Sequence, residues 1–375
     1  MGYIANWIND EQQNQQATMV VEDTLGDLSK RDGLIDKIAP LKTYDDRDFL
    51  SYVIDKIQTV ASVVAYGAEI PVTNVGRFLK LTGELFKTGL GFDYPEEKQW
   101  AMKKALELAA LKGLSVQDSQ NADGSVSRGV NNTLADYLFG TIKDLTVAQV
   151  TLLDSLTWQA LQFGEISYTD ERTNATLVLN YHEQGAPYNH FPPALTGDDI
   201  WLNPTTANGL DILEQDIETY IDTNGSRPEM IIMSRKVRRL LLNQESTKRA
   251  VSSISNTAAN VVVNNVGTVS PEMLSNVMQM RDLPPIVIFD EMYNMETIQK
   301  TFVKARFLNT DRYLFASPNM GERAMGPTIE AKGATGVYVE TDEVTKFPPR
   351  DASRAVATML PVFARPKQFF SRKVA

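Results

Sequence analysis

The chain has 375 residues, with 37 Lys+Arg against 47 Asp+Glu, a formal net charge of −10, no cysteine and 43% hydrophobic residues. Zero Cys excludes a disulfide framework, thiolate metal sites and a Cys nucleophile, and the hydrophobic share suffices for buried cores in two or three units of ~150 residues. The negative balance argues against strong affinity for bare phosphate backbone, because such binding runs on neutralisation by Lys and Arg.

The first ten residues lack a basic start followed by an apolar core, so no secretory signal is expected. No stretch approaches the ~20 apolar residues of a membrane span, so a soluble protein without a membrane partner is expected. Residues 1–45 are polar and rich in Gln, Asn and Asp (Asn9, Gln12, Gln13, Asn14, Gln15, Gln16), which predicts an extended arm that orders on partners. Phe49, Val53, Ile54 and Ile57 recur at helical spacing and predict a short helix over 46–59. The runs 68–72 and 77–86, broken by Pro71 and by glycines 67, 76, 83, 89 and 91, predict a β-hairpin. Its arms of ~12 residues would reach roughly 40 Å and project from the body.

Pro95 opens a helix marked by Trp100, Ala101, Ala105, Leu108 and Leu111 and closed by Gly113, and residues 115–130 read as a surface loop. Leu134, Leu138, Ile142, Leu145, Leu152, Leu156, Ala160 and Phe163 then step by three, four or seven to a stop at Gly164. This predicts one helix of about thirty residues, ~45 Å long. A second hairpin is expected from 165–169 and 176–181. From Asn208 the pattern becomes α/β: a helix with Leu210, Leu213, Ile217 and Ile221 ending at Asn224-Gly225, a strand at 230–233, a basic helix at 234–242 and a helix near 271–280. Strands follow at 286–289, 301–308 and 313–315, then at 336–340 and 355–364.

Chemistry-bearing residues do not assemble into a catalytic set. Asp198-Asp199 and Asp290-Glu291 are paired carboxylates, but adjacent acids on a strand or turn point apart and read as solvated. Gly89-Leu90-Gly91 and the run Gly321 to Gly326 lack the strand-to-helix setting of a phosphate loop. His182 and His190 fit no helical ligand face, so no metal or other cofactor is expected, nor enzymatic activity. The cluster Arg235-Lys236-Val237-Arg238-Arg239 is the one concentrated positive patch. It reads as the solvated or subunit-facing side of a helix whose Val237, Leu240 and Leu241 face the core. A polar arm, a projecting hairpin, one very long helix and two mixed domains describe a subunit whose surfaces are completed by neighbours.

Three segments carry a resemblance to a known family. Tyr66-Gly67-Ala68-Glu69-Ile70-Pro71-Val72, running to Phe92-Asp93-Tyr94-Pro95, resembles the E-loop of tailed-phage major capsid proteins of the Hong Kong 97 fold, in particular the phage lambda-like major capsid protein E family. Gln159-Ala160-Leu161-Gln162-Phe163-Gly164-Glu165-Ile166 resembles that family's exit from the spine helix. The lead-in 347–354 and the run 359–370, with Leu360-Pro361-Val362 and Phe369-Phe370, resemble its last segment.

The resemblance spans roughly residues 60–375 and implies an α+β fold with five parts: an N-terminal arm and short helix (1–60), an E-loop (61–95), a P-domain with the spine helix (96–196), an A-domain (197–334), and a return to the P-domain (335–375). It further implies self-assembly into pentamers and hexamers, an icosahedral head shell around weakly contacted double-stranded DNA, and a place in the virion after assembly in the host cytoplasm. Portal and decoration proteins would be partners, and scaffold would be a separate protein, since some 60 residues before the hairpin are too few for a fused one. An encapsulin-type compartment shell is the alternative. Expected subunit-interface residues are Phe78, Leu79, Lys80, Leu85, Phe86 and Lys87 of the E-loop, with Arg235, Arg238 and Arg239. Lys80 and Lys87 stand in the E-loop, where the type member of the fold cross-links Lys to Asn; the lambda-like branch implies cementing proteins instead.

Overall fold

The computed structural model describes residues 11–46, 48–55, 77–111, 119–120, 126–127, 130–170, 175–181, 191–259, 268–297, 301–346, 349–363 and 368–375. The Gln- and Asn-rich start is helix α1 (Glu11–Ser29), followed by α2 (Leu34–Ile38) and β1 (Leu41–Thr43). This corrects the expected extended arm. Ala17 and Val21 are buried, and Val20, Leu25 and Leu28 half-buried, in a core with Leu138, Ile142 and Leu145. They form an apolar stripe at helical spacing that the polar residues around it obscure.

Next come β2 (Asp48–Asp55) and β3 (Arg77–Glu84), antiparallel from Asp48↔Glu84 to Asp55↔Arg77. Over 48–55 the chain is therefore a strand where a helix was expected over 46–59. Phe49, Val53 and Ile54 are of the aromatic and β-branched types that favour strands, and pairing with a segment about thirty residues away, which no local period encodes, decides between the two forms. Of the expected hairpin, the arm 68–72 lies outside the described residues, and the other arm pairs, over 77–84, with 48–55.

Strand β4 (Phe86–Tyr94) runs through Gly89 and Gly91, which were expected to break the chain; α3 (Glu96–Leu111) follows expectation, and β5 (Ser119–Gln120) and β6 (Val126–Ser127) stand where a surface loop was expected. The long helix α4 (Val130–Phe163) and the hairpin of β7 (Glu165–Asp170) and β8 (Ala175–Asn180) follow expectation. Helix α4 has 34 residues, about 50 Å at 1.5 Å per residue. Then come α5 (Gly209–Asn224), β9 (Met230–Met233), α6 (Arg235–Asn243), α7 (Glu245–Ala259), α8 (Pro271–Met280), β10 (Ile286–Ile288), β11 (Met292–Glu296), β12 (Phe302–Arg306), β13 (Arg312–Ala316), β14 (Glu322–Gly326), β15 (Val337–Lys346), β16 (Pro349–Val362) and β17 (Phe370–Lys373). Helix α7, rich in Ser and Thr, carries weak helix formers and had no sequence expectation; Val251 buries it against its neighbours.

Two sheets organise the body. In the first, β16 pairs with β4 along one edge and with β15 and then β14 along the other, and β1 adds parallel to β14. Helix α4 lies across it, with Leu138, Ile142, Leu145, Val150 and Leu153 sharing a core with Met325, Val337, Ala355, Ala357 and Met359. The second sheet has the order β10-β9-β13-β17. Side chains alternate across it, as the pleat requires. Ile231, Met233, Tyr313, Phe315 and Phe370 face α5 to α8, while Ile232 and Leu314 face the end of α4, where Trp158 stacks on Phe289 at 4.4 Å. The chain crosses between the sheets twice at its end: β14 joins the first sheet although it lies within 197–334, and β17 joins the second although it lies within 335–375. Among the described residues no helix is long and apolar enough to cross a membrane.

Candidate assembly surfaces

A buried charge cluster fixes the N-terminal helices to the body. Arg323 on β14 is wholly buried and donates to Asp154 on α4, to Asp36 on α2 and, at 2.8 Å, to the Ala39 carbonyl. Arg31 adds a second guanidinium, 2.8 Å from Asp36 and 3.0 Å from Asp154. Burial alone would lower the Arg31 pKa, but the two carboxylates outweigh it and hold the guanidinium firmly charged. Two positive and two negative groups thus close one network, the condition under which buried charge is tolerated. No local motif reveals it; the one trace is an acid, Asp154, between Leu153 and Leu156.

A second buried carboxylate, Asp216 on α5, accepts from the Tyr313 hydroxyl and lies 2.7 Å from Arg372 on β17. Burial pushes its pKa up to about 6, against the opposing pull of Tyr313 and Arg372. Both clusters are structural fastenings, since their charged groups are taken up by one another across separate elements.

The surfaces suited to partners lie elsewhere. Strands β2 and β3 pair only with each other among the described residues, and so do β11 and β12. A two-stranded ribbon is marginal in water, and its open edges invite a further strand or a covering surface. On β11–β12 the exposed side chains include Met292, Met295, Val303 and Phe302, the last 72% exposed. These apolar groups were not singled out from sequence, because a Met or Phe on a short strand reads equally as core.

Of the expected interface residues, Phe78, Leu79 and Lys80 fall on β3, in the β2–β3 hairpin. Leu85 is turned inward: it is 1% exposed, in a cluster with Ala324, Leu360 and Val362. It sits at the break between β3 and β4, where the chain leaves the hairpin for the first sheet. Phe86 is half-buried, and Lys87 is exposed and ion-paired to Glu330. On α6, Ser234 caps the helix by accepting from the Val237 amide at 3.2 Å, and Val237 and Leu241 enter the core. That leaves Arg235 and Arg239 exposed, with Arg238 half-buried beside a cleft of about 270 Å³ against α8.

The other candidates form no reactive site. Asp198 and Asp199 lie exposed on a single 3₁₀ turn. Asp290 accepts from the Arg235 amide at 3.1 Å and pairs with the Arg235 and Arg306 side chains, so it anchors a helix start. The glycines at 89 and 91 are on β4, those at 321 and 326 flank and end β14, and His182 and His190 lie outside the described residues. Among the described residues no group of three metal-ligating side chains occurs.

No protein-family model matches the chain, and no curated protein matches it. Solved structures do. A protein described as the capsid protein of a prophage of E. coli CFT073 superposes with a TM-score of 0.55 at 13% identity, covering 96% of this chain and 98% of its own. A phage-related protein of Bordetella bronchiseptica RB50 gives a TM-score of 0.46 at 12% identity over 96% of both chains, and the satellite phage P4 procapsid gives 0.42 at 10% identity over 96% and 98%. The likeness to the prophage protein spans nearly the whole of both chains. The fold is thus the α+β capsid fold that the sequence resemblance implies.

Proposed function

We propose that the chain is a major capsid protein of a tailed phage, a non-enzymatic shell subunit that assembles into pentamers and hexamers around double-stranded DNA. One observation carries this reading: the near full-length likeness to the prophage capsid protein, combined with hairpins that pair with no further strand among the described residues. On this reading α1 and α2 belong to the N-terminal arm, β2–β3 is the E-loop, α4 and the first sheet form the P-domain, and α5 to α8 on the second sheet form the A-domain. Phe78, Leu79, Lys80, Phe86, Lys87, Arg235, Arg238 and Arg239 are its interface candidates, with Leu85 as the packed hinge of the loop. A charge of −10 per subunit suits a wall that holds DNA without gripping it. Scaffolding, portal and decoration proteins would be its partners in the virion.

The test is electron microscopy of the protein expressed alone and with its neighbouring genes, with nuclease-protected nucleic acid measured in any particle. Icosahedral shells or capsomer tubes support the proposal, and shells that enclose protein cargo in place of DNA would make it a compartment protein. A monomer under every condition would refute both.

A further inference from the structure

Helix α5 carries Asp211, Glu214, Glu218 and Asp222 in one stripe at three- and four-residue spacing. Arg281 neutralises the first two, at 2.7 and 3.2 Å, whereas Glu218 and Asp222 are exposed and have no ion-pair partner among the described residues. They stand in the C-terminal half, where the helix dipole is negative. Helix α6 has the converse arrangement: it opens with Arg235-Lys236 and no acid in its first turn, where the dipole is positive. Asp290 holds Arg235, but Lys236 and Arg239 are exposed and have no ion-pair partner among the described residues. Asp222 in the last turn of α5 and Lys236 in the first turn of α6 therefore carry the sign that the dipole disfavours, a local conflict of the kind that function preserves.

The two helices lie over different strands of the second sheet. Helix α5 lies over β13 and β17, where Asp216 meets Tyr313 and Arg372 and Tyr220 meets Phe315 and Phe370 edge-on. Helix α6 lies toward β10, where the Arg235 amide reaches Asp290 and Arg238 shares a cleft with Pro285 and Ile286. Contact between two unlike patches of one unit joins copies head to tail, and such contacts form a ring when the rotation between copies closes.

We propose that Lys236 and Arg239 on α6 of one copy dock on Glu218 and Asp222 on α5 of a second copy of this chain, and that this contact closes capsomer rings. The proposal rests on the shell reading above.

Two charge-reversed chains test it, Lys236→Glu with Arg239→Glu, and Glu218→Lys with Asp222→Lys. Lys236→Glu and Asp222→Lys place the sign that the dipole favours in the first and last turn, and the other two exchanges are at exposed positions, so both chains should melt close to wild type. Each alone should need more than about tenfold higher concentration to form rings in sedimentation and microscopy, because like charges then face each other. The chain with all four exchanges should assemble again. An equimolar mixture of the two reversed chains should form only even-membered rings, since alternating copies match and an odd ring leaves one repulsive contact. Assembly by wild type that survives each reversal overturns this contact and leaves the shell reading standing. A wild-type chain that never assembles overturns both. Duplex DNA retained by wild type and lost on reversing α6, with rings unaffected, would assign that face to nucleic acid and overturn the contact.

Discussion

Arg323 on β14 lies fully out of solvent and donates to the Asp154 carboxylate on α4, 169 positions away in the chain. The pair spans the two largest pieces of the first core, and Asp36 extends it to the N-terminal helices. Replacing Arg323 by Met would leave two carboxylates buried without their main partner, which costs about 3–5 kcal/mol. Arg31→Met removes a guanidinium whose side chain is 39% exposed, where the loss is held to about 1 kcal/mol or less by solvent screening. Urea denaturation of the two variants measures the ratio, and equal losses would show that the network does not depend on Arg323.

Asp216 gives the second core a pH dependence. A carboxyl whose folded pKa of about 6 lies above its unfolded value of 3.8 takes up a proton on folding between the two. Its protonation favours the folded state fully below about pH 4, and that contribution is lost as pH rises through about 6, with a slope near 1.4 kcal/mol per pH unit between. Asp216→Asn should remove this slope. Denaturation of both proteins at pH 4.5, 5.5 and 7 would display it, and parallel curves would place the Asp216 pKa back in the ordinary range.

Two glycine exchanges should act in opposite directions. Gly140 sits inside α4, and a Cβ there meets nothing within 4 Å, so Gly140→Ala should stabilise by about 0.5–1 kcal/mol. A Cβ at Gly321 would run into the Phe363 ring and come within 2.7 Å of the Val362 carbonyl. Gly321→Ala should therefore cost about 1–3 kcal/mol through overpacking. Thermal unfolding reads both signs, and a stable Gly321→Ala chain would deny the close approach of β14 and β16.

Phe302 separates folding from assembly. It is 72% exposed on a ribbon without other strand partners among the described residues, so Phe302→Ser should change subunit stability by no more than about 0.5 kcal/mol. If the β11–β12 ribbon is covered by a neighbour, the same exchange should raise the concentration needed for assembly. Light scattering against concentration, beside a denaturation curve, tests both halves; unchanged assembly would leave the ribbon outside the shell contacts.

Strong, continuous local patterns were legible without coordinates. The apolar steps from Leu134 to Phe163 specified α4, and Asn224-Gly225 specified the end of α5, where Gly225 takes the left-handed conformation at φ 65°. The basic run 235–239 announced an amphipathic helix with Val237 inside, as found. The N-terminal helix was hidden, because Ala17, Val21 and Leu25 are few among polar neighbours and are covered by α4 and by the first sheet, both from distant parts of the chain.

What the sequence by itself determined is therefore the set of elements with strong local periods, together with the exclusion of cysteine chemistry. Tertiary structure alone decided that 48–55 is a strand, that β14 and β17 exchange sheets, and that Arg323, Asp154 and Asp36 share one buried site. The reason is physical: local propensity is worth tenths of a kcal/mol per residue, whereas strand pairing and the burial of charge are set by groups that only the folded chain brings together.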